Sequence, residues 1–408
     1  MSKEYDPNHP ALTYHAEPIP GKISTGLTKP MENETDLALA YSPGVGVPVM
    51  AIASDPKKAY DYTSKGNLVG VVSNGSAILG LGNQGPLASK PVMEGKAALF
   101  KKYGNVDAYD IEIDANSIEK MVEIISAIAP TFGGINLEDI KAPECFEVEK
   151  QLIEKLDIPV FHDDQHGTAI TMAAALLNAL KIQKKSLKNV NIVIQGAGAS
   201  ALACAHFLIT LGASSDQLTL LDSRGVIHHE RNDLNAYKQP FARITDARTL
   251  EEAMLGADVF VGLAGAHINN PEHLLKSMND HPVIFTLSNP TPAIAYDTVK
   301  TLRPDGIVAT GLSNHPNQVN NVVCFPYIFR GALDARATKI TDAMKIAATH
   351  AIADIAQQSI PDDLIKANIL PKLTFGSDYI LPKPYDPRLM QQVPKAVSEA
   401  WHLFCESN

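Results

Sequence analysis

The segment Phe161-His-Asp-Asp-Gln-His-Gly167 sets two adjacent carboxylates, Asp163 and Asp164, between two histidines, directly after a short apolar stretch ending at Phe161. The stretch before it, Phe132-Gly-Gly-Ile-Asn-Leu-Glu-Asp139, closes with two more acids, Glu138 and Asp139. If the two apolar stretches are neighbouring strands of a parallel sheet, their C-terminal ends lie on one edge and the carboxylates converge there. Hard oxygen ligands of this kind suit Mg²⁺ or Mn²⁺, whereas zinc prefers His or Cys. His162 and His166 are four apart, but the strand-like residues before them argue against a shared helical face, so both read as packed or hydrogen-bonded side chains. On spacing alone, metal ligation by Asp164 and N-capping of a helix beginning near Gly167 stay equally open, and Asp163 reads as a solvated turn residue.

A second constellation follows the apolar strand ending at Ile194. Gln195-Gly-Ala-Gly-Ala-Ser-Ala201 is a G-x-G-x-x-A turn that opens an apolar helix. In such a turn Gly196 permits the tight bend, Gly198 lets the backbone approach a pyrophosphate, and Ala201 allows close packing of helix on strand; the N–H groups of Ala199 and Ser200 open the helix toward the phosphate. Asp222 ends the next strand, where a carboxylate meets the ribose hydroxyls of NAD. Arg224, two residues on, suits the 2′-phosphate of NADP, and the choice between the two stays open.

The elements that must position these groups alternate along the chain. Leu68–Val72, Ala108–Ile113, Phe132–Leu137 and Ile158–Phe161 read as strands, separated by helical stretches at Pro91–Tyr103, Ser117–Ala129 and Pro143–Leu156. A long helix over Gly167–Ile182 leads into a second alternation with strands at 188–194, 218–221, 258–261, 283–286 and 307–309. The pattern predicts an α/β protein of two domains: an N-terminal α/β domain over 1–164, and a Rossmann-type, doubly wound dinucleotide domain with C-terminal helices over 165–390, followed by a tail over 391–408. Residues 1 to about 65 form an irregular arm with short helices, and Ala335–Ala356 is the clearest amphipathic helix of the C-terminal part.

Composition bounds the partners. With 408 residues, 45% hydrophobic and 20% charged, the chain can bury a large core. A net charge of −10 disfavours nucleic acid and anionic membrane, which need a basic face. The four cysteines form no CxxC pair and fit a reducing cytoplasm; no signal-like or membrane-spanning stretch is present.

Taken together, Tyr41-Ser-Pro-Gly-Val-Gly-Val-Pro48, Leu79-Gly-Leu-Gly82, Pro91-Val-Met-Glu-Gly-Lys96, Asn136-Leu-Glu-Asp-Ile-Lys-Ala-Pro-Glu-Cys145, His162-Asp-Asp-Gln-His-Gly-Thr168, Ser288-Asn-Pro290 and Pro316-Asn-Gln-Val-Asn-Asn321 resemble, in order, the motif set of bacterial malic enzymes. The resemblance implies metal-dependent oxidative decarboxylation of L-malate to pyruvate and CO2 with NAD or NADP. It implies Lys96 as general base, Tyr41 as general acid, and Glu138, Asp139 and Asp164 as ligands of Mg²⁺ or Mn²⁺. Asp163 would support the charge network beside them, and Asn289 and Asn320 would contact malate or the nicotinamide end of the cofactor. It also implies a homodimer, with the N-terminal arm packing across the subunit interface, and a short form without the phosphotransacetylase-like C-terminal domain of longer members. Asn83 stands where Asp is more usual, and Leu312-Ser313 where Arg-Asp is. A malolactic enzyme that retains its NAD and releases lactate, and a catalytically silent dinucleotide-binding regulator, are the competing readings.

Overall fold

The computed structural model describes residues 6–78, 80–265, 267–268, 270–288 and 291–407. Two parallel sheets are present, as the double alternation requires. The first has four strands, β1 (Leu68–Ser73), β2 (Asp107–Glu112), β3 (Gly134–Leu137) and β4 (Val160–His162), in the order β2-β1-β3-β4. The second has six, β5 (Ile192–Gln195), β6 (Leu218–Asp222), β7 (Gly225–Val226), β8 (Val259–Gly262), β9 (Val283–Thr286) and β10 (Ile307–Thr310), in the order β10-β9-β8-β5-β6-β7. All pairs are parallel except the short edge strand β7, which turns back on β6. Most of these strands are buried along their length, which is why they read as continuous apolar runs rather than alternating ones.

β3 and β4 are hydrogen-bonded neighbours, with Leu137 opposite His162, so Glu138 and Asp163 leave the same sheet edge side by side. That register brings the two acidic segments together. The helix joining the two sheets, Asp163–Ile182, begins four residues earlier than the sequence pattern suggests, with His162 at its N-cap. Asp163 and Asp164 therefore lie in its first turn, and Asp164 is not the cap. Fourteen of its residues, from Asp163 to Leu180, are buried, as expected of a helix enclosed on all sides.

Two further differences lie in the C-terminal part. The expected helix Ala335–Ala356 begins seven residues late: the preceding helix ends at Asp334, Arg336 takes a left-handed φ of +48°, and the helix starts only at Asp342 behind a Thr341 cap. Residues 391–407 of the expected tail lie within one helix, Pro387–Ser407, whose buried stripe of Leu389, Val393, Val397 and Trp401 joins the main core. The apolar period of that stripe continues across residue 391, so no boundary falls there. Helix Phe325–Asp334 also crosses to the first sheet, where Phe325 and Phe329 pack edge-on against Phe100 at centroid distances of 4.8 and 5.3 Å. Among the described residues no helix is long and apolar enough to cross a membrane.

Candidate active site

A cleft of about 760 Å³ opens between the C-terminal edges of the two sheets. One wall carries Lys96, Glu138, Asp139 and Asp164; the other carries Gly198, Ala199, Ser200, Ser288, Asn320 and Asn321. Crevices at this edge are where open α/β sheets take their ligands.

Lys96 enters from the middle of helix Pro86–Gly104 and is buried. Its Nζ lies 2.6 Å from Asp163 Oδ2 and 2.9 Å from Glu138 Oε1, and 4.2 Å from the centroid of the Phe325 ring. Burial alone pulls its pKa down, but Asp163 and Glu138 outweigh that, and the net direction is upward. Asn321 Nδ2 donates to the same Asp163 Oδ2 at 2.5 Å, and Asn136 Nδ2 donates to Glu138 Oε2 at 3.0 Å. Asp163 is thus held from two sides. It is a buried charge partner of Lys96, not the solvated turn residue its sequence neighbourhood suggests.

Glu138, Asp139 and Asp164 each present a carboxylate oxygen, all within 4.8 Å of one another. Ligands around a single divalent cation, at metal–oxygen distances of about 2.0–2.6 Å, are separated by comparable amounts. Asp139 takes a left-handed φ of +53°, a conformation costing roughly 1–2 kcal/mol that Asp tolerates better than most residues. Its backbone N–H donates to Asp164 Oδ2 at 2.8 Å, which ties the β3 edge to the Asp163 helix. Burial raises the carboxyl pKa of Glu138 to about 7, of Asp163 to about 7 and of Asp164 to about 6, with Lys96 opposing the rise in each case. Four carboxylates face one ammonium here, a concentration of negative charge that a divalent cation would relieve. The donor set fits Mg²⁺ or Mn²⁺.

Neither histidine belongs to the three-carboxylate group, although His162 Nδ1 lies 3.9 Å from Asp164 Oδ2. His166 Nε2 is 3.0 Å from Glu149 Oε2, and burial lowers its pKa. His162 is fully buried, its pKa pushed down to about 4 by burial. Glu149, which sequence reasoning passed over, also accepts from the His162 backbone N–H at 2.8 Å and anchors the start of the helix. A lone Glu on an amphipathic helix carries no signal of such a role.

Across the cleft, Gly196 takes φ +137°, which L side chains rarely adopt, and a Cβ there would meet the Ala201 methyl at 3.3 Å. Ala201 is itself buried. A Cβ on Gly198 would meet nothing within 4 Å, so this face of the turn is open, and Gly198 is the N-cap of helix Ala199–Thr210. Backbone N–H groups thus point toward the cleft with room for a phosphate.

Family models match this chain over almost its whole length: "Malic enzyme, N-terminal domain" over residues 20–153 and "Malic enzyme, NAD binding domain" over 165–379. The chain belongs to the malic enzyme family. The NADP-dependent malic enzyme of Halomonas elongata is 57% identical over 390 residues, covering 96% of this chain and 92% of the relative. The NADP-dependent malic enzyme of Escherichia coli is 50% identical over 96% of this chain, which spans 52% of that longer relative. Among solved structures, the NAD-dependent malic enzyme of Thermotoga maritima superposes with a TM-score of 0.85 at 39% identity, covering 97% of this chain and 99% of the other. The family dependence on NAD or NADP therefore extends to this member, as does the two-domain α/β architecture with a Rossmann-type dinucleotide domain.

Not every expected site residue lines the cleft, and Tyr41, Asp222 and Arg224 depart furthest from the expectation. Tyr41 caps the short helix Glu34–Ala40 and is 70% exposed, outside the cleft lining. Asp222 lies at the expected strand end, yet its carboxylate is engaged by Arg231 and Lys238, and Arg224 pairs with Asp233 at 2.8 Å. Asn320 lines the cleft, with its Oδ1 accepting from Val322 N–H at 3.0 Å. Asn289 lies outside the described residues. Asn321, adjacent to Asn320, was not expected to touch the acid–base network; the Asn320–Asn321 doublet in the motif was the available signal.

Proposed function

We propose that this chain catalyses the oxidative decarboxylation of L-malate to pyruvate and CO2 with reduction of NAD or NADP. The observation that carries the reading is a buried lysine set against carboxylates, within one cleft that also holds an open dinucleotide turn. Glu138, Asp139 and Asp164 would hold Mg²⁺ or Mn²⁺, which supplies Lewis-acid stabilisation of the charge that develops as CO2 departs. Lys96 Nζ would take the proton of the C2 hydroxyl in its neutral form, which a divalent cation held by Glu138 would favour by offsetting part of the carboxylate charge that otherwise keeps the ammonium protonated. Asp163, fixed by Asn321, orients that Nζ. Asn320, which lines the cleft, contacts the substrate. The Tyr41 hydroxyl returns a proton to C3. In this division of labour residues 1–164 carry the metal, the base and most of the substrate site, and the segment from 165 carries the dinucleotide and adds Asn320 and Asn321 to the cleft.

For Tyr41 to act, it must reach a cleft that its own chain does not bring it to. The arm around it exposes Leu27, Leu39, Val47, Val49 and Met50, an apolar surface of the kind a second copy covers. The reading is therefore a homodimer in which Tyr41 serves the partner's cleft. Four unpaired cysteines, three of them buried, fit a reducing cytoplasm.

The test is product stoichiometry from L-malate with Mn²⁺ and each cofactor in turn: equal pyruvate, CO2 and reduced cofactor are expected. Lactate without reduced cofactor would give the malolactic reaction instead, and no product with cofactor bound would remove the enzymatic reading. Mixing Lys96→Ala and Tyr41→Phe chains tests the dimer. Service across the interface predicts recovered turnover in the mixed dimer, because one cleft then has both groups; service within one chain predicts none.

A further inference from the structure

We infer that Glu149 is a positioning residue for the divalent-cation site: its buried carboxylate, reaching over from helix Glu144–Lys155, fixes the turn that aims Asp163 at Lys96 and Asp164 at the metal. This rests on the ligand set proposed above. Glu149 stands on the inward stripe of its helix with Cys145, Val148 and Leu152, all buried. A carboxylate placed there is costly unless its oxygens find donors, and both do. Oε1 accepts from the His162 backbone N–H at 2.8 Å; Oε2 accepts from Gln165 Nε2 at 3.3 Å and lies 3.0 Å from His166 Nε2. Burial acts to raise its pKa, but His166, His162 and Lys345 win and hold it at about 2, so the group is ionised at neutrality.

Its three partners bracket the two acids, His162 before them and Gln165 and His166 after. Successive residues of an α-helix project about 100° apart, so Asp163 and Asp164 leave the first turn in different directions, and a rotation of that turn misaims both at once. Those directions are what the site depends on. Asp163 Oδ2 is 2.6 Å from Lys96 Nζ, while Asp164 Oδ2 accepts from the Asp139 N–H at 2.8 Å. The usual device for fixing a helix start is missing, since His162 at the N-cap makes no side-chain capping bond. β4 is moreover the edge strand of its sheet, with its outer side left to side chains. Glu149 supplies both restraints from outside, and its negative charge lies near the positive end of the helix dipole.

Mn²⁺ binding to the full chain without malate, followed by the electron paramagnetic resonance of the free ion, tests this for the wild type, Glu149→Gln and His166→Phe. Dinucleotide binding, thermal melting and kcat are measured alongside. Glu149→Gln keeps one acceptor for the His162 N–H but turns an amide NH2 toward Gln165 and His166, two donors that then have nothing to meet. His166→Phe keeps a ring against Phe161, whose centroid is 5.4 Å away, and removes the donor. Each variant should raise the Mn²⁺ dissociation constant about tenfold and lower kcat with it, while dinucleotide affinity stays within about twofold, because only the aim of the metal ligands is lost. Wild-type Mn²⁺ affinity in Glu149→Gln overturns the inference even if the melting temperature falls, since a merely structural Glu149 would move stability and leave the ion alone. An equal loss of dinucleotide affinity, the mark of general damage, overturns it too. Should Glu149→Gln not fold, wild-type Mn²⁺ affinity in His166→Phe is decisive in the same way. Weakened Mn²⁺ binding in the variants of a chain that does not turn over malate would leave the inference standing while sinking the malate reading; wild-type malate turnover with unchanged Mn²⁺ affinity in the variants would do the reverse.

Discussion

Replacing Gly167 with Ala separates helix propensity from the demands of the site. Gly167 lies inside helix Asp163–Ile182, where Gly→Ala ordinarily stabilises by about 1 kcal/mol. A Cβ here would sit 1.8 Å from Asp163 Oδ1 and 2.9 Å from its Cγ, so the whole carboxyl group must shift. It has nowhere cheap to go: Oδ2 is fixed by Lys96 Nζ at 2.6 Å and by Asn321 Nδ2 at 2.5 Å, and the residue is fully buried. Breaking a buried ion pair costs about 3–5 kcal/mol, which outweighs the propensity gain and leaves a net loss of about 2–4 kcal/mol. Urea denaturation of the wild type and Gly167→Ala, followed by circular dichroism, reads the difference directly. Turnover should fall in the same variant because Lys96 loses its orienting partner. A variant that is about 1 kcal/mol more stable with normal turnover would refute the claim that Asp163 is locked.

Lys96→Ala should lower kcat by about 10²-fold or more, the usual loss for a general base, and an unchanged kcat in steady-state assays would remove this lysine from the chemistry. Asp164→Asn should weaken Mn²⁺ binding in a direct titration of the chain by an order of magnitude or so, since a charged ligand is lost; wild-type affinity would contradict the ligand set. Asp222 gives a pH signature. Burial acts to raise its pKa, but bonds from Arg231 and Lys238 win and hold it at about 2 against an ordinary 3.8. A depressed folded pKa contributes stability that is present above pH 3.8 and lost as pH falls toward 2, here about 1 kcal/mol once solvent screening of the pair is allowed for. The stability gap between the wild type and Asp222→Asn should therefore be widest near neutrality and narrow below about pH 4, and a gap independent of pH would show that the pair contributes nothing through charge.

Much of the fold was legible because buried parallel strands announce themselves as apolar runs with turn residues between them. The positions of β1, β3 and β4 followed from that, whereas the half-buried β2, Asp107–Glu112, was placed by its turn in the strand–helix alternation. Element starts were harder. The Asp163 helix begins within its acidic segment because the register of β4 against β3 ends the strand at His162. Nothing local distinguishes that start from one four residues later, since Asp163 and Asp164 suit a turn as well as a first helical turn. The C-terminal helix was misjudged for a related reason: a Pro-rich approach and an internal Pro394 suggest an irregular tail, while the buried stripe from Leu389 to Trp401 is what decides.

For the site, legibility depended on whether a residue acts through its neighbours in sequence or in space. Glu138, Asp139 and Asp164 come together by strand register, a rule that can be applied to a bare sequence. The Lys96–Asp163–Asn321 chain joins three segments from opposite sides of the cleft and has no sequence period to betray it. Asp222 shows the opposite limit: its position was foreseeable, its availability was not, because Arg231 and Lys238 lie 9 and 16 residues further along the chain. Tyr41 goes one step further: it is exposed on its own chain, and on the reading proposed above it would be completed only by a surface that the single chain lacks. What decides function in these cases is which partner already holds the side chain, and that is set by packing rather than by motif.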